Sequence, residues 1–177
     1  MERTLLTPEG KGKILKEIGH RKDVLRPQII KAIAEARSHG DLSENSEYED
    51  ARERQGLNEA CINNLEAQIA TGVVIDITTK KPAEGEERKV FFGCTVILEE
   101  DGQETVWKIV GTHDSDLTEN KISYKSPIGK GLIGKYEGDT AIIKLPARER
   151  ELIILEVHYL NDKDFNALKE QIKSEQS

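Results

Sequence analysis

The sequence predicts an α+β protein in two unlike halves. Residues 1–78 read as an antiparallel coiled-coil hairpin with an acidic tip. Residues 79–160 read as a small antiparallel β domain with one short helix, and 161–177 as a polar tail. Three observations carry this. Tyr48, Ala51, Gln55, Asn58, Ile62, Leu65 and Ile69 repeat with strict three-four alternation, the signature of a coiled-coil seam. A turn signal, His39-Gly40-Asp41, separates that helix from another long helical run before it. After Gly72 the composition switches to short β-branched runs punctuated by turn residues.

The first helical run opens at Thr7-Pro8-Glu9, a Thr N-cap followed by Pro at the first helical position. It is expected to reach about Ser38 and to span roughly 45 Å. Its inner face is carried by Ile14, Ile18, Leu25, Ile29, Ala32 or Ile33, and Ala36. Arg21 falls on this seam, where an apolar residue is wanted, so that turn is expected to be loose or salt-bridged. Gly19 costs about 1 kcal/mol of helix propensity relative to Ala. Pro27 should kink or locally break the helix. The second helix is expected from about Glu44 to Ala70, ended by Gly72. Its polar seam members, Gln55 and Asn58, weaken packing towards the tip.

In the second half, Val73–Ile77 is a short strand-like run, and 80–89, charged and holding Pro82 and Gly85, is a linker or mobile loop. Strands are expected at 90–92, 95–98, 105–110, 121–124, 140–143 and 152–157. Asp101-Gly102 joins two of them as a hairpin turn. Ser126 caps a short helix through Ile128 to Gly134. In the tail, Phe165, Leu168 and Ile172 form either one weak amphipathic face or part of a disordered segment.

Composition excludes several functions. Charged residues make up 33% and aromatics 5% of 177 residues, which suits a long solvated helical element beside one modest core. A net charge of −7 confines any nucleic-acid contact to a local patch. No apolar run is long enough for a membrane span, and no signal-peptide pattern opens the chain. Cys61 and Cys94 form no CxxC, so neither zinc nor a dithiol motif is suggested. Both read as packing thiols of a cytoplasmic protein. The four histidines show no metal-ligand spacing. Gly129-Lys130-Gly131-Leu132-Ile133-Gly134 matches G-x-G-x-x-G, but it follows Ser-Pro rather than a buried strand and no long helix succeeds it. A dinucleotide site is rejected.

The tip is the chemically distinctive stretch. Asp41, Glu44, Glu47, Glu49, Asp50 and Glu53 crowd it, with Arg52 the basic residue among them. Asp41-Leu42-Ser43-Glu44 suits a capping box. On charge alone a solvated helix start, where acids meet the positive dipole end, is the plainer reading. Arg37 and Arg52 flank the tip, either as ordinary helix salt bridges, for example Arg52 with Glu49, or as a small phosphate-contacting patch. Spacing favours the former.

A resemblance shifts that balance. Arg26-Pro27, Ala34-Glu35-Ala36-Arg37, His39-Gly40-Asp41-Leu42-Ser43-Glu44-Asn45, Glu47-Tyr48 and Ala51-Arg52-Glu53 resemble the hairpin of the bacterial GreA/GreB transcript cleavage factors. The likeness continues through Val74-Ile75-Asp76, Phe92-Gly93, Ile109-Val110-Gly111, Ile122-Ser123, Ser126-Pro127-Ile128, Leu132-Ile133-Gly134-Lys135 and Gly138-Asp139, nearly the whole of 6–160. The low basic content of the hairpin is more similar to the GreA branch. The resemblance implies an FKBP-like C-terminal domain that docks on bacterial RNA polymerase, with the coiled coil reaching through the secondary channel. It implies that Asp41 and Glu44 are the acidic tip pair, that Arg37 and Arg52 face the extruded RNA 3′ end, and that Ser126, Pro127 and Ile128 contact the polymerase. Glu49 and Asp50 make this tip more acidic than the family's usual one.

Those assignments are chemically coherent. Hydrolysis of a phosphodiester in a backtracked complex needs a second Mg²⁺ and a positioned water. Two carboxylates on a free hairpin are too few for a tight Mg²⁺ site, but beside the polymerase's own metal they complete a shared one. The expectation is a factor that is not an enzyme by itself, binds no cofactor alone, and takes no small-molecule substrate and no membrane as partner. Two alternatives are an inhibitor of the same channel, against which the acidic pair argues, and a peptidyl-prolyl isomerase, which only the FKBP-like fold suggests.

Overall fold

The structure is a computed structural model that describes residues 3–39 and 42–175; the side chains of residues 39 and 42–45 are outside that description. Contacts divide the chain into two compact units, 11–72 and 73–177, with Thr4–Gly10 belonging to the second. These differ from boundaries at 78/79 and 160/161 for two reasons. Strand β1 (Thr4–Leu6) pairs with β2 (Gly72–Val74), which ties the start of the chain to the second unit. The tail is not a separate segment, because it folds as a helix onto the sheet.

The hairpin unit is built from α1 (Pro8–His20), α2 (Arg26–His39) and α3 (Leu42–Thr71). Thr7 caps α1 as expected: its Oγ1 accepts the Gly10 N–H at 3.0 Å. Between α1 and α2 the expected break at Pro27 takes the form of one π-helical turn, Arg21–Leu25. The Arg26 N–H donates to the Arg21 carbonyl, five residues back. Proline has no N–H to continue the α pattern and its ring collides with the preceding turn, so widening that turn by one residue keeps the axis running.

The seam is as the periodicity predicts. Ala51, Asn58, Ile62 and Leu65 are buried, with Tyr48, Gln55 and Ile69 half-buried. Opposite them, Ile14, Ile29, Ile33 and Ala36 are buried. Arg21 and Asn58, the two polar residues that fall on facing seams, answer each other. Arg21 Nη1 donates to Asn58 Oδ1 at 3.3 Å, and Asn58 Nδ2 reaches the Arg21 carbonyl at 3.4 Å. Glu17 Oε1 lies 2.7 Å from Arg21 Nε, an ionic contact out of line for a hydrogen bond. So the Arg21 turn is salt-bridged, and the buried amide of Asn58 keeps its partner inside the coil. Lys22–Glu66 at 2.5 Å and the two-pronged Arg26–Glu59 pair at 2.7 Å add rungs on the surface.

The second unit is a five-stranded sheet in the order β5-β4-β3-β7-β6. Its strands are β3 (Thr95–Glu100), β4 (Gln103–Val110), β5 (Lys121–Ser123), β6 (Thr140–Lys144) and β7 (Glu149–His158). Four corrections to the sequence reading have physical causes. The sheet is not wholly antiparallel, since β4 and β5 run parallel. The run Val90-Phe91-Phe92 is not a strand. A turn at Gly93 (φ +89°) folds it back, and the buried Val90 bonds instead to Gly134 and Lys135. The run from Val73 stops at Val74, and a 3-10 turn, capped by Asp76, begins at Ile77. The short helix α4 is Pro127–Leu132 rather than Ile128 to Gly134.

Asp101 and Gly102 both have positive φ, the type I′ geometry that a two-residue hairpin turn requires. A bulge opposite Ile97/Leu98 re-aims β7, which lets Ile154 and Val157, three residues apart, face the same core. That core, with Val96, Leu98, Ile109, Ile143 and Leu152, packs under α4 through Leu132. Helix α5 (Asp162–Glu175) covers the other face. Phe165 is fully buried with Ile97 and Val106, flanked by Leu168 and Ile172. The tail therefore uses the amphipathic face its spacing offered.

Candidate functional site at the hairpin tip

Helix α2 ends at His39 and α3 begins at Leu42, so the tip is the link between them. Asp41, and with it the capping-box assignment, lies outside the described residues. Glu44 is in the first turn of α3, with its side chain outside the description. The flanking basic residues are described. Arg37, exposed on the last turns of α2, places its guanidinium carbon 5.4 Å from the centroid of the Tyr48 ring and donates from Nη2 to Tyr48 Oη at 3.2 Å. Tyr48 itself packs half-buried against Ile29, Ile33 and Ala51. Arg52 Nη1 donates to Gln55 Oε1 on its own helix.

The partner that the structure gives Arg52 is thus Gln55, one turn on. Both arginines act on one ring: the hydrogen bond from Arg37, then the charges of Arg37 and Arg52, pull the Tyr48 phenol below its ordinary pKa. The seam periodicity locates Tyr48 but not its contact with Arg37, which joins two helices. Its signal was available in principle: an arginine near the end of one helix opposite an aromatic near the start of its antiparallel partner.

In the sheet unit, Ser126 is the N-cap of α4. Its Oγ accepts the Gly129 N–H at 3.0 Å and donates to the Ser123 carbonyl at 2.7 Å. Pro127 is exposed at the first helical position, while Ile128 is half-buried against the core. Of the three sequence-assigned docking residues, Pro127 is therefore the one whose side chain is presented outward. Gly129, in the G-x-G-x-x-G string, has a packing role. A Cβ there would stand 2.3 Å from the Ser123 carbonyl oxygen, so the glycine serves close packing of α4 on β5. Cys94 is buried in the core, and burial pushes its thiol up to about 11, a packing residue with no nucleophilic character.

Among the described residues, no group of three or more His, Cys, Asp or Glu side chains is placed to hold a metal ion, and no helix is long and apolar enough to cross a membrane.

Two family models match the chain. One, described as "Transcription elongation factor, N-terminal", covers residues 4–74; the other, "Transcription elongation factor, GreA/GreB, C-term", covers 85–159. Among curated relatives, the transcription elongation factor GreA of Methylococcus capsulatus is 43% identical over 162 residues, 90% of this chain and 100% of its own length. That of Thioalkalivibrio sulfidiphilus is 46% identical over the same shares. Among solved structures, the GreA factor homolog Gfh1 of Thermus thermophilus is 24% identical and covers 89% of this chain and 99% of its own, at a TM-score of 0.39.

Proposed function

We propose, from the premise that this chain belongs to the GreA/GreB family of transcription elongation factors, that it binds bacterial RNA polymerase and stimulates the polymerase's own cleavage of backtracked RNA. The observation that carries this reading is an acidic pair, Asp41 and Glu44, at the end of a hairpin whose second helix runs 30 residues. Such a helix is roughly 45 Å long, a reach no loop of a small domain supplies.

The hairpin delivers the tip into the polymerase's secondary channel. Asp41 and Glu44 supply carboxylate oxygens, the donor type Mg²⁺ prefers. Two of them suit a site shared with the polymerase's active centre better than a site of the factor's own. A Mg²⁺ held there would supply charge stabilisation and an activated water for phosphodiester hydrolysis. Arg37 and Arg52 neutralise the extruded RNA 3′ segment as it passes the tip. The factor has no active site of its own; it completes another protein's, in the cytoplasm where that polymerase works. Pro127, exposed on the Ser126-capped turn, is a docking contact of the sheet unit.

An RNA-release assay on stalled elongation complexes tests the reading. Added protein should shorten the backtracked transcript and restore extension. Inhibition of extension without a released 3′ fragment would contradict it and favour a channel blocker. Pro127→Ala should weaken polymerase binding with the fold intact. Ile128→Asp would damage the core as well, because Ile128 packs against it. Unchanged affinity of Pro127→Ala in direct binding would remove that turn from the interface.

A further inference from the structure

We infer that Tyr48 is a positioning residue for Arg37, holding its guanidinium ready for a phosphate of the extruded RNA. This rests on the reading of the tip given above and goes beyond it, by making one arginine a preorganised ligand rather than part of a diffuse patch.

The argument begins at the coiled-coil seam. Tyr48 occupies a three-four position of α3, so the apolar register fixes its ring: it packs against Ile29, Ile33 and Ala51, with Ala32 alongside. A ring locked in that way is a rigid platform. Arg37 crosses to it from α2 and makes two different contacts. The guanidinium carbon lies 5.4 Å from the ring centroid, within cation–π range, and Nη2 donates to the phenol oxygen at 3.2 Å. The first contact restrains how far the guanidinium strays from the ring, and the second restrains its rotation about that ring.

An exposed arginine normally loses much rotamer freedom when it captures an anion. Here part of that loss is already incurred on folding, which lowers the ordering cost of binding. The planar fork of guanidinium donors matches phosphate oxygens, so a fixed fork selects a phosphodiester in one orientation. Arg52 differs. Its hydrogen bond goes to Gln55 on its own helix, one turn on. Its charge is also felt at the Tyr48 phenol, as the smallest of the influences on that group, after the hydrogen bond and the charge of Arg37. The two basic residues therefore divide the task, Arg52 by field and Arg37 by geometry.

The test uses the full-length chain and backtracked elongation complexes with end-labelled RNA. The half-saturating factor concentration and the cleavage rate at saturation are measured separately. The proteins are wild type, Tyr48→Leu, Tyr48→Phe, Arg37→Ala and the Arg37→Ala/Tyr48→Leu double variant. Affinity for polymerase without RNA is measured alongside, and helical circular dichroism confirms the hairpin, since leucine suits a seam position. Tyr48→Leu should raise the half-saturating concentration about threefold to tenfold on backtracked complexes, as a coupled pair does. It should leave RNA-free polymerase affinity unchanged. Tyr48→Phe, which keeps the ring face and loses the hydroxyl, should fall between. In the Arg37→Ala background Tyr48→Leu should add nothing. Wild-type behaviour of Tyr48→Leu, an additive loss in the double variant, or an equal loss on RNA-free polymerase would each overturn the inference and leave Tyr48 a packing residue. Failure of the wild-type protein to stimulate cleavage would instead overturn the reading on which it rests, and that result appears before any variant is compared.

Discussion

The two units handle buried charge in opposite ways. In the hairpin, charged rungs stay near solvent: Lys22 and Glu66 are 38% and 46% exposed, and Arg26 and Glu59 are similar. One polar pair, Arg21 with Asn58, enters the seam. In the sheet unit, Lys108 on β4 and Lys121 on β5 are cross-strand partners of the parallel pair, and both are almost fully buried. Two ammonium groups side by side repel. Asp162, the first residue of α5, resolves this with one oxygen for each, at 2.7 Å to Lys108 and 2.5 Å to Lys121. Lys108 Nζ also donates to the Leu160 carbonyl at 3.0 Å, and buried Asp114 stands 3.8 Å from Lys121. The helix that the tail forms is thus fastened by charge as well as by Phe165. The lesson is that a hairpin built for reach carries its charges where water screens them, while a small sheet domain uses a buried ionic cluster to fix a peripheral helix.

The largest expected effect follows from breaking that cluster. Asp162→Ala removes the carboxylate shared by two buried ammoniums, leaving Lys108 the Leu160 carbonyl and Lys121 the longer contact to Asp114, and should destabilise the sheet unit by about 3–5 kcal/mol, measured by denaturant unfolding followed at Trp107. A loss under about 1 kcal/mol would erase the contrast between the units. The same carboxylate gives a pH signature. Burial alone would raise the Asp162 pKa, but hydrogen bonds from Lys108 and Lys121, with their charges, outweigh it and the group titrates below its ordinary range. A carboxyl depressed by folding stabilises fully above its unfolded pKa, and that contribution is lost as pH falls through the lowered folded value. Unfolding free energy should therefore fall below about pH 4. Asp162→Asn should flatten that limb, and an unchanged limb would assign the acid sensitivity elsewhere.

A middle effect is expected in the seam. Asn58→Ala leaves Arg21 without its amide partner and should cost the hairpin about 1–2 kcal/mol by thermal or urea melting. Replacing both residues by leucine should be close to neutral or stabilising, because no polar group is then left unpaired. A double variant worse than Asn58→Ala would mean that the pair does more for the hairpin than satisfy itself.

The smallest belongs to the surface rungs. Glu66→Gln should change hairpin stability by less than about 1 kcal/mol, and the difference should vanish in 1 M salt. A larger, salt-resistant loss would place that rung with the buried cluster rather than apart from it.

What was legible in the sequence follows from the range of the interactions. The seam from Tyr48 to Ile69, the Thr7 and Ser126 caps and the Asp101-Gly102 turn depend on residues within a few positions, and each is found where periodicity and turn chemistry put it. Pro27 signalled a break but not its π-helical form, which depends on how the neighbouring turns accommodate the missing N–H. Val90-Phe91-Phe92 has strand composition and buries Val90 and Phe92, yet the Gly93 turn takes its backbone elsewhere. Lys108 shares a strand face with Val106 and is buried with it, a burial that the sequence reading does not anticipate for a lysine. Its partner Asp162 is 54 residues away, and nothing local announces it. At the tip, the residue types were readable and the Arg37–Tyr48 contact was not, because it joins two helices. The assignment of Asp41 and Glu44 rests on their likeness to the family motif.

The most direct test of the central claim, that the tip lends carboxylates to another protein's active centre, is cleavage at saturating factor by the Asp41→Ala/Glu44→Ala variant. It should bind polymerase nearly as wild type does and compete with it. Its maximal cleavage rate should fall at least about 10- to 100-fold, since removing even the groups that only support a metal's ligands costs that much. Added Mg²⁺ should recover part of that rate, since weaker ligation is offset by mass action. Full cleavage at saturation by this variant would contradict the claim and return the acidic tip to a solvated helix start.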